Sequence, residues 1–481
     1  MIQKKILFIH PLGYNSANAK TDISRKTNIM PPLGLASIAA YLDQFQINSH
    51  IIDCYADPES DELIMKYLEK QTPAFIGFSC TTSSFLDGIR IAEYAKKIIP
   101  ETHIIFGGVH VSSLKEKILQ LYPIIDYVVV GEGEHTLYQL LRANKTNLEK
   151  IKNIVLRTKN DKIVFTGFRN KLIDLDTLPF PAYEKLSGYP SSYKLPIFNY
   201  PKVPNASCIS SRGCPYSCSY CDRSVFRKSF RYNSAQYLYN HLKYLKDNFN
   251  IRHINFYDDQ FTFNRRRVEE FARLMIQNPL KITFNCAARA EHLDFELLKL
   301  MKAAGCWMIS LGIETGDEDL LARHRQNPDL GMMRDKIHLI KKAGIRVKGL
   351  LMMGLPGESE ESIKKSKAYV FSLPIDDFNL AKFTPFPGSP IYSKIKEQGE
   401  KIGTFTEDWE KMDCMQFLFI PKGLTKQKME VLFIDFYKSH FTRTKVLIGY
   451  MSMIWRSPDS WMRFIKDIAG FLKFAFTNKR M

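Results

Sequence analysis

A chain of 481 residues with 45% hydrophobic and 25% charged side chains is too long for a single core and too ordinary in composition for a disordered or fibrous protein. Two or three domains are expected. No stretch approaches the roughly 20 apolar residues that span a bilayer, and the apolar run Ile6–Ile9 is too short for a signal-peptide core, so a cytoplasmic protein is expected. The net charge of +18 is uneven: residues 421–481 hold 12 Lys/Arg against 4 Asp/Glu.

Residues 1–145 alternate short β-branched runs with helical patterns. Strands are expected at Lys5–His10, His50–Asp53, Ala74–Ser79, His103–Phe106 and Tyr127–Val130, and the clearest helices at Leu33–Leu42 and Leu86–Ile99. That alternation predicts a parallel sheet covered on both faces, a doubly wound, flavodoxin-like α/β domain of Rossmann type. Residues 146–205 break the rhythm with a hairpin over Ile151–Phe165 and the Pro-rich Leu178-Pro179-Phe180-Pro181-Ala182-Tyr183; aromatics without a Gly/Ser run predict an ordered linker.

Alternation resumes over residues 206–400. Six strands are expected, at Ala206–Ser210, His253–Tyr257, Ile282–Cys286, Met308–Gly312, Val347–Met352 and Phe378–Phe383. They predict an open, partial (β/α)6 barrel. Residues 401–481 read as helical from about Gly423 onwards.

The first barrel strand runs into Ser211-Arg212-Gly213-Cys214-Pro215-Tyr216-Ser217-Cys218-Ser219-Tyr220-Cys221. This loop lies at the carboxyl end of the sheet, where such folds build active sites. Cys-x3-Cys-x2-Cys lets one loop wrap three corners of an iron–sulfur cube. Zinc usually asks for four ligands, and the sequence has no second Cys-x2-Cys or His-x3-His. Three thiolates leave one iron free for another ligand.

The triad, with Tyr220 before its last cysteine, resembles the signature of the radical S-adenosylmethionine (SAM) superfamily. The resemblance implies a [4Fe–4S] cluster on Cys214, Cys218 and Cys221 that binds SAM and cleaves it reductively to a 5′-deoxyadenosyl radical. Later stretches resemble successive strand ends of that barrel: Tyr257-Asp258-Asp259, Cys286-Ala287-Ala288-Arg289, Gly312-Ile313-Glu314-Thr315-Gly316, and the turns Gly354-Leu355-Pro356-Gly357-Glu358 and Pro385-Phe386-Pro387-Gly388. By that resemblance Tyr220, Asp259, Arg289 and Glu314 are candidate SAM contacts; Arg289 could equally serve a surface ion pair.

A Rossmann-like domain ahead of this barrel resembles the cobalamin-binding branch, as do Pro31-Pro32-Leu33-Gly34-Leu35 and Gly131-Glu132-Gly133-Glu134. The cofactor's nucleotide tail needs small residues along its path, and Ser79, Thr81, Gly107, Gly108, Gly131 and Gly133 are the candidates. The Asp-x-His-x-x-Gly motif of many cobalamin proteins is missing, because Phe8 stands two before His10. A base-off cobalamin is therefore expected, with His10 a turn residue. A domain that has lost cobalamin and serves as scaffold is the alternative.

The other cysteines, Cys54, Cys80, Cys208, Cys286, Cys306 and Cys414, lack paired spacing and read as reduced thiols. This argues against tRNA methylthiotransferases, which carry a second cluster on three N-terminal cysteines. Three readings remain: a cobalamin-dependent C-methyltransferase, a radical cyclase or ring-rearranging enzyme of tetrapyrrole or lipid metabolism, and a non-catalytic cobalamin or redox sensor. A small, hydrophobic substrate and a flavodoxin or ferredoxin as reductant are expected, and nucleic acid is not. Between Trp461 and Ala475, the residues Trp461, Phe464, Ile465, Ile468, Phe471, Leu472 and Ala475 fall on one helix face. That face either docks on the barrel or makes a peripheral membrane contact.

Overall fold

The computed structural model describes residues 5–13, 28–144, 147–466 and 468. Five parallel strands open the chain: β1 (Ile6–His10), β2 (Ser49–Asp53), β3 (Phe75–Ser79), β4 (His103–Gly107) and β5 (Tyr127–Val129). Alternate side chains of each strand leave in opposite directions, and both directions are apolar. Ile6 and Phe8 pack with the helix Leu33–Asp43, while Leu7 and Ile9 enter a second core under the helices Ser60–Gln71 and Phe85–Ile98. The strand order is β2-β1-β3-β4-β5, continued by the antiparallel β6 (Ile154–Arg157) and β7 (Ile163–Phe165). The hairpin assigned to a linker by its sequence is thus the far edge of the first sheet, because β5 would otherwise leave its backbone unpaired.

The second sheet contains β8 (Asn205–Cys208), then, past a short ribbon of β9 (Ser211–Arg212) and β10 (Arg231–Tyr232), β11 (His253–Phe256), β12 (Thr283–Ala288), β13 (Cys306–Glu314), β14 (Arg346–Met353) and β15 (Asp377–Lys382). Its order is β8-β11-β12-β13-β14-β15, all parallel and open at both edges. This is the expected partial barrel. Its helices start on side-chain caps at Ser234, Asn264, Asp294, Asp317, Asp329 and Ser359; each such cap contributes about 1 kcal/mol. The antiparallel pair β16 (Gly403–Phe405) and β17 (Phe419–Pro421) follows, then the helices Lys426–Phe441, Thr444–Arg456 and Pro458–Lys466.

The last helix turns Trp461 and Phe464 inward onto Phe198, with ring centroids 5.5 and 6.1 Å away, and Arg463 donates to the Leu195 carbonyl at 2.9 Å. Of the face read from the sequence as amphipathic, Trp461 and Phe464 thus dock on the chain, whereas Ile465 and Ile468 are exposed. Phe471, Leu472 and Ala475 lie outside the described residues.

The segment between the sheets is fastened to both. The Ala182 N–H donates to the Ala36 carbonyl at 3.0 Å, and the fully buried Tyr183 meets His241 Nε2 at 3.1 Å. Tyr183→Phe should leave the buried His241 ring short of a partner and lose about 1–3 kcal/mol. Tyr183→Ala should lose about 3–5 kcal/mol. Urea unfolding of the two variants checks the order.

Candidate functional site

The cysteine loop is residues 213–230, held at its base by the antiparallel pairing of β9 with β10. Gly213 has φ +87°, and a Cβ there would collide with the Ser229 carbonyl oxygen, so the loop closes on itself only with glycine at that point. Arg223 donates to the Tyr216 carbonyl (2.8 Å) and to Ser217 Oγ (3.3 Å), bracing the span between the first two cysteines. The Ser219 N–H donates to the His324 carbonyl (2.9 Å), and Ser219 Oγ pairs with His324 Nδ1 (2.9 Å). His324 Nε2 reaches the Pro356 carbonyl (2.8 Å), and the Ile391 N–H donates to the Ser219 carbonyl (2.9 Å). The loop is therefore tied to the end of the helix Glu318–His324, which follows β13, and to the exits of β14 and β15. Gly388 faces Asp222 so closely that a Cβ would strike its carboxylate.

Cys214, Cys218 and Cys221 are half-buried free thiols. Burial pushes the Cys214 thiol up, and burial with the charges of Asp259 and the other two cysteines pushes Cys221 up to about 12. Three thiolates so close are stable only beside compensating positive charge, which bound iron supplies. Among the described residues no three His, Cys, Asp or Glu side chains gather tightly enough for a single ion; a cube presents three separate irons instead. The donor set fits an iron–sulfur cluster.

Around the loop stand the strand-end residues. At the end of β11, Asp258 turns inward to the Ser210 N–H (2.6 Å), whereas Asp259 accepts from the Gly213 N–H and faces the cysteines. Arg289 is buried, its guanidinium 3.7 Å from the Tyr216 ring centroid, and it pairs with Glu291. Arg325, also buried, lies 3.7 Å from Glu291 and donates to the Gly312 carbonyl. Glu314 sits at a β-bulge with φ +64°, an uncommon conformation for a residue with a side chain. Gly312 makes room for it, since a Cβ there would lie 2.6 Å from Glu314 Oε1. Burial pushes the Glu314 carboxyl up to about 7 against the pull of Arg325 and of the Tyr220 hydroxyl. Tyr220 in turn has its hydroxyl between Glu314 and Cys218, and burial raises its pKa. So Tyr220, Asp259, Arg289 and Glu314 surround one loop. Arg325, His324 and Ser219 join them without any motif that announced them.

On the other side of the loop is a cavity of about 210 Å³ at the carboxyl ends of β1, β3, β4 and β5, the switch point of the first sheet. Ser79, Gly107, Gly108, Gly131 and Gly133 line it. Their smallness has different causes. Gly107 is not required by crowding: a methyl group placed there would make only ordinary contacts, the nearest at 3.7 Å. Gly108, at φ +99°, is glycine because a Cβ would lie 2.5 Å from the Cys80 carbonyl oxygen, whereas at Gly133 a Cβ would press only on the tip of the Ile38 side chain, 2.7 Å away. Thr81 is exposed outside the cavity, its hydroxyl on Ser83 and Ser84. His10 also lies outside, paired with Asp53 at 2.9 Å and stacked on Tyr55. The slot with Gly107 on its wall fits a slender tail such as cobalamin's.

Cavity and loop share a wall. Val225 and Phe226 of the cysteine loop line the cavity, as does Arg212. Arg212 binds Glu132 (2.6 Å) and Glu134 (2.7 Å), and Arg231 binds the other oxygen of Glu132 (2.6 Å). Arg212 beside Glu134 holds that buried carboxyl below its usual range. Pairing across nearly eighty residues leaves no local pattern, although Arg212 directly precedes Gly213-Cys214.

The sequence profile of the radical SAM superfamily matches residues 208–370, and that of the B12 binding domain matches residues 20–141. An uncharacterized methyltransferase of Pyrococcus horikoshii is 29% identical over 422 residues, covering 87% of this chain and 89% of that protein. The anaerobic magnesium-protoporphyrin IX monomethyl ester cyclase of Cereibacter sphaeroides is 24% identical, covering 98% and 75%. Among solved structures, the cobalamin-dependent SAM radical enzyme OxsB superposes with a TM-score of 0.73 at 16% identity, covering 98% of this chain and 72% of that one. The radical SAM methyltransferase TsrM of Kitasatospora setae gives 0.71 at 15%, covering 96% and 100%.

The raised Glu314 carboxyl has a measurable consequence. Its folded value of about 7 lies above the ordinary 4.5, so the folded chain holds this proton more tightly than the unfolded chain does. The associated stability is complete below the lower value and is lost as pH rises through the upper one. Buried Glu358, raised to about 8, acts in the same direction, and His110, His241 and His253, pushed down to about 3 by burial, act in the opposite one. The Glu314 contribution is therefore read by difference, the melting temperature of the cofactor-free wild type minus that of Glu314→Gln falling between about pH 5 and pH 8.

Proposed function

We propose that this chain, a radical SAM enzyme with a B12-binding domain ahead of its barrel, methylates an unactivated carbon of a small organic substrate. The observation that carries the reading is the shared wall: the loop with the three cysteines also bounds the slot suited to cobalamin. When bound, the cluster with SAM supplies hydrogen-atom abstraction, and cobalamin supplies the methyl group.

The chain's own side chains hold and orient these groups. Cys214, Cys218 and Cys221 are the proposed cluster ligands, leaving one iron open to SAM. Arg289 keeps a buried positive charge beside the loop, suited to a carboxylate. Glu314 and Tyr220 set one hydroxyl and one carboxyl side by side for polar groups of SAM, and Asp259 offers an acceptor at the opposite rim. Ser79, Gly107, Gly131 and Gly133 form the proposed cobalamin slot, with Gly108 shaping its backbone and Thr81 outside it. No acid or base is required for abstraction of a hydrogen atom. A flavodoxin or ferredoxin is the proposed electron donor.

Cyclisation is the second reading, favoured by similarity to the anaerobic cyclase across nearly the whole chain. Mass spectrometry of products separates the two, a gain of one methylene unit against a loss of hydrogens.

The anaerobically reconstituted protein should bind about four irons per chain and cleave SAM. Changing Cys214, Cys218 and Cys221 together to Ala should abolish both. Gly107→Leu should fill the open side of the slot and prevent corrinoid from co-purifying, with iron content unchanged. Full corrinoid retention by that variant would remove the slot from the reading.

A further inference from the structure

The helix Thr444–Arg456 is docked by one face only. Met453 and Val446 are buried, and Tyr450 reaches Asp377 at 2.9 Å. Leu447, Ile448, Met451 and Trp455 are exposed, Ile448 by 64% and Trp455 by 79%. Their spacing of i, i+1, i+4 and i+8 gathers them within about 100° of the helix circumference. The next helix, Pro458–Lys466, buries Ser460 but exposes Met462 and Ile465. Soluble monomers rarely leave so continuous a set of large apolar side chains in water.

We infer that this two-helix surface lies on an anionic lipid bilayer. Charge selects that occupant. Residues 421–481 carry 12 Lys/Arg against 4 Asp/Glu, and Arg456 and Lys466 beside the apolar face are exposed, with no carboxylate partner among the described residues. A second copy of the chain, meeting this surface through a two-fold axis, would set one strongly basic region against another. A nucleic acid would answer the charge and leave the apolar side chains in water. An anionic bilayer meets both, with headgroups for the cations and the acyl boundary for Ile448, Met451 and Trp455. Among the described residues no helix is long and apolar enough to cross a membrane, so the helix lies in the interface plane. The surface differs from the one its sequence pattern suggested: Trp461 and Phe464 face the protein, and the preceding helix supplies most of the contact. This inference is independent of the cofactor chemistry.

The test uses the full chain with its cluster reconstituted. It should co-sediment with phosphatidylcholine vesicles containing phosphatidylglycerol, far less with phosphatidylcholine alone, and release at high salt. Ile448→Glu with Trp455→Glu should weaken anionic-vesicle binding by about tenfold or more, with melting temperature and SAM cleavage unchanged. Should that double variant fold poorly, Arg456→Glu with Lys466→Glu serves instead, at two exposed positions, and should weaken binding in the same sense. Equal sedimentation with both vesicle types, or none with either, overturns the inference. So does concentration-dependent dimerisation of the wild-type chain that the double variant abolishes without any vesicle binding.

Discussion

Arg212 is the residue on which the arrangement of the two sheets depends. Its guanidinium satisfies Glu132 and Glu134 at once, and Arg231, on the strand paired with its own, takes the remaining oxygen of Glu132. Removing one partner from this part-buried network is costly, because the others keep charges they can no longer neutralise. The penalty is also geometric. Gly213 and Cys214 follow Arg212 directly, so the position of the cysteine loop relative to the first sheet is set by a two-pronged charged contact rather than by apolar packing that tolerates sliding.

The same loop is constrained from the barrel side by directional bonds. Ser219, His324 and Pro356 form a chain of polar contacts from the loop through the end of the helix Glu318–His324 to the exit of β14, and the Ile391 N–H adds the exit of β15. Close approach explains the glycines: Gly213 under Ser229, Gly388 against Asp222, Gly312 beside Glu314. Each marks a place where backbone meets a neighbour with no room for a methyl group, which is how residues far apart in the chain are brought around three thiols.

What was legible in the sequence follows from the range of the interactions involved. Parallel strands buried on both faces appear as apolar runs, so the five strands of the first sheet and the six barrel strands were readable within a residue or two, whereas the order β2-β1-β3-β4-β5 comes from the pairing itself. The cysteine spacing is local and was equally plain. The hairpin at Ile154–Phe165 was recognised, but its pairing with β5 was not, because an edge strand has no sequence mark of the strand it joins. Arg212, Arg325 and His324 act across gaps that leave no periodicity. Gly108 was read as a groove residue for its size alone, when the Cys80 backbone requires it. The apolar stripe expected along the C-terminal helix divides over its described length, Phe198 taking Trp461 and Phe464 while Ile465 and Ile468 are exposed, because periodicity cannot say which residues of a stripe meet protein.

One contact far from the cysteines bears on motion. Trp409, well beyond the barrel strands, packs on Phe85 and His110 of the first sheet's helices at 5.7 and 4.5 Å between ring centroids. With Arg212 and the Ala182–Ala36 bond, the seam is stitched at three separated points. A clamshell opening swings two halves about one line, and such a swing would have to part contacts at all three points. Exchange of a large bound molecule that left these contacts intact would depend instead on excursions of the loops that bound the cavity.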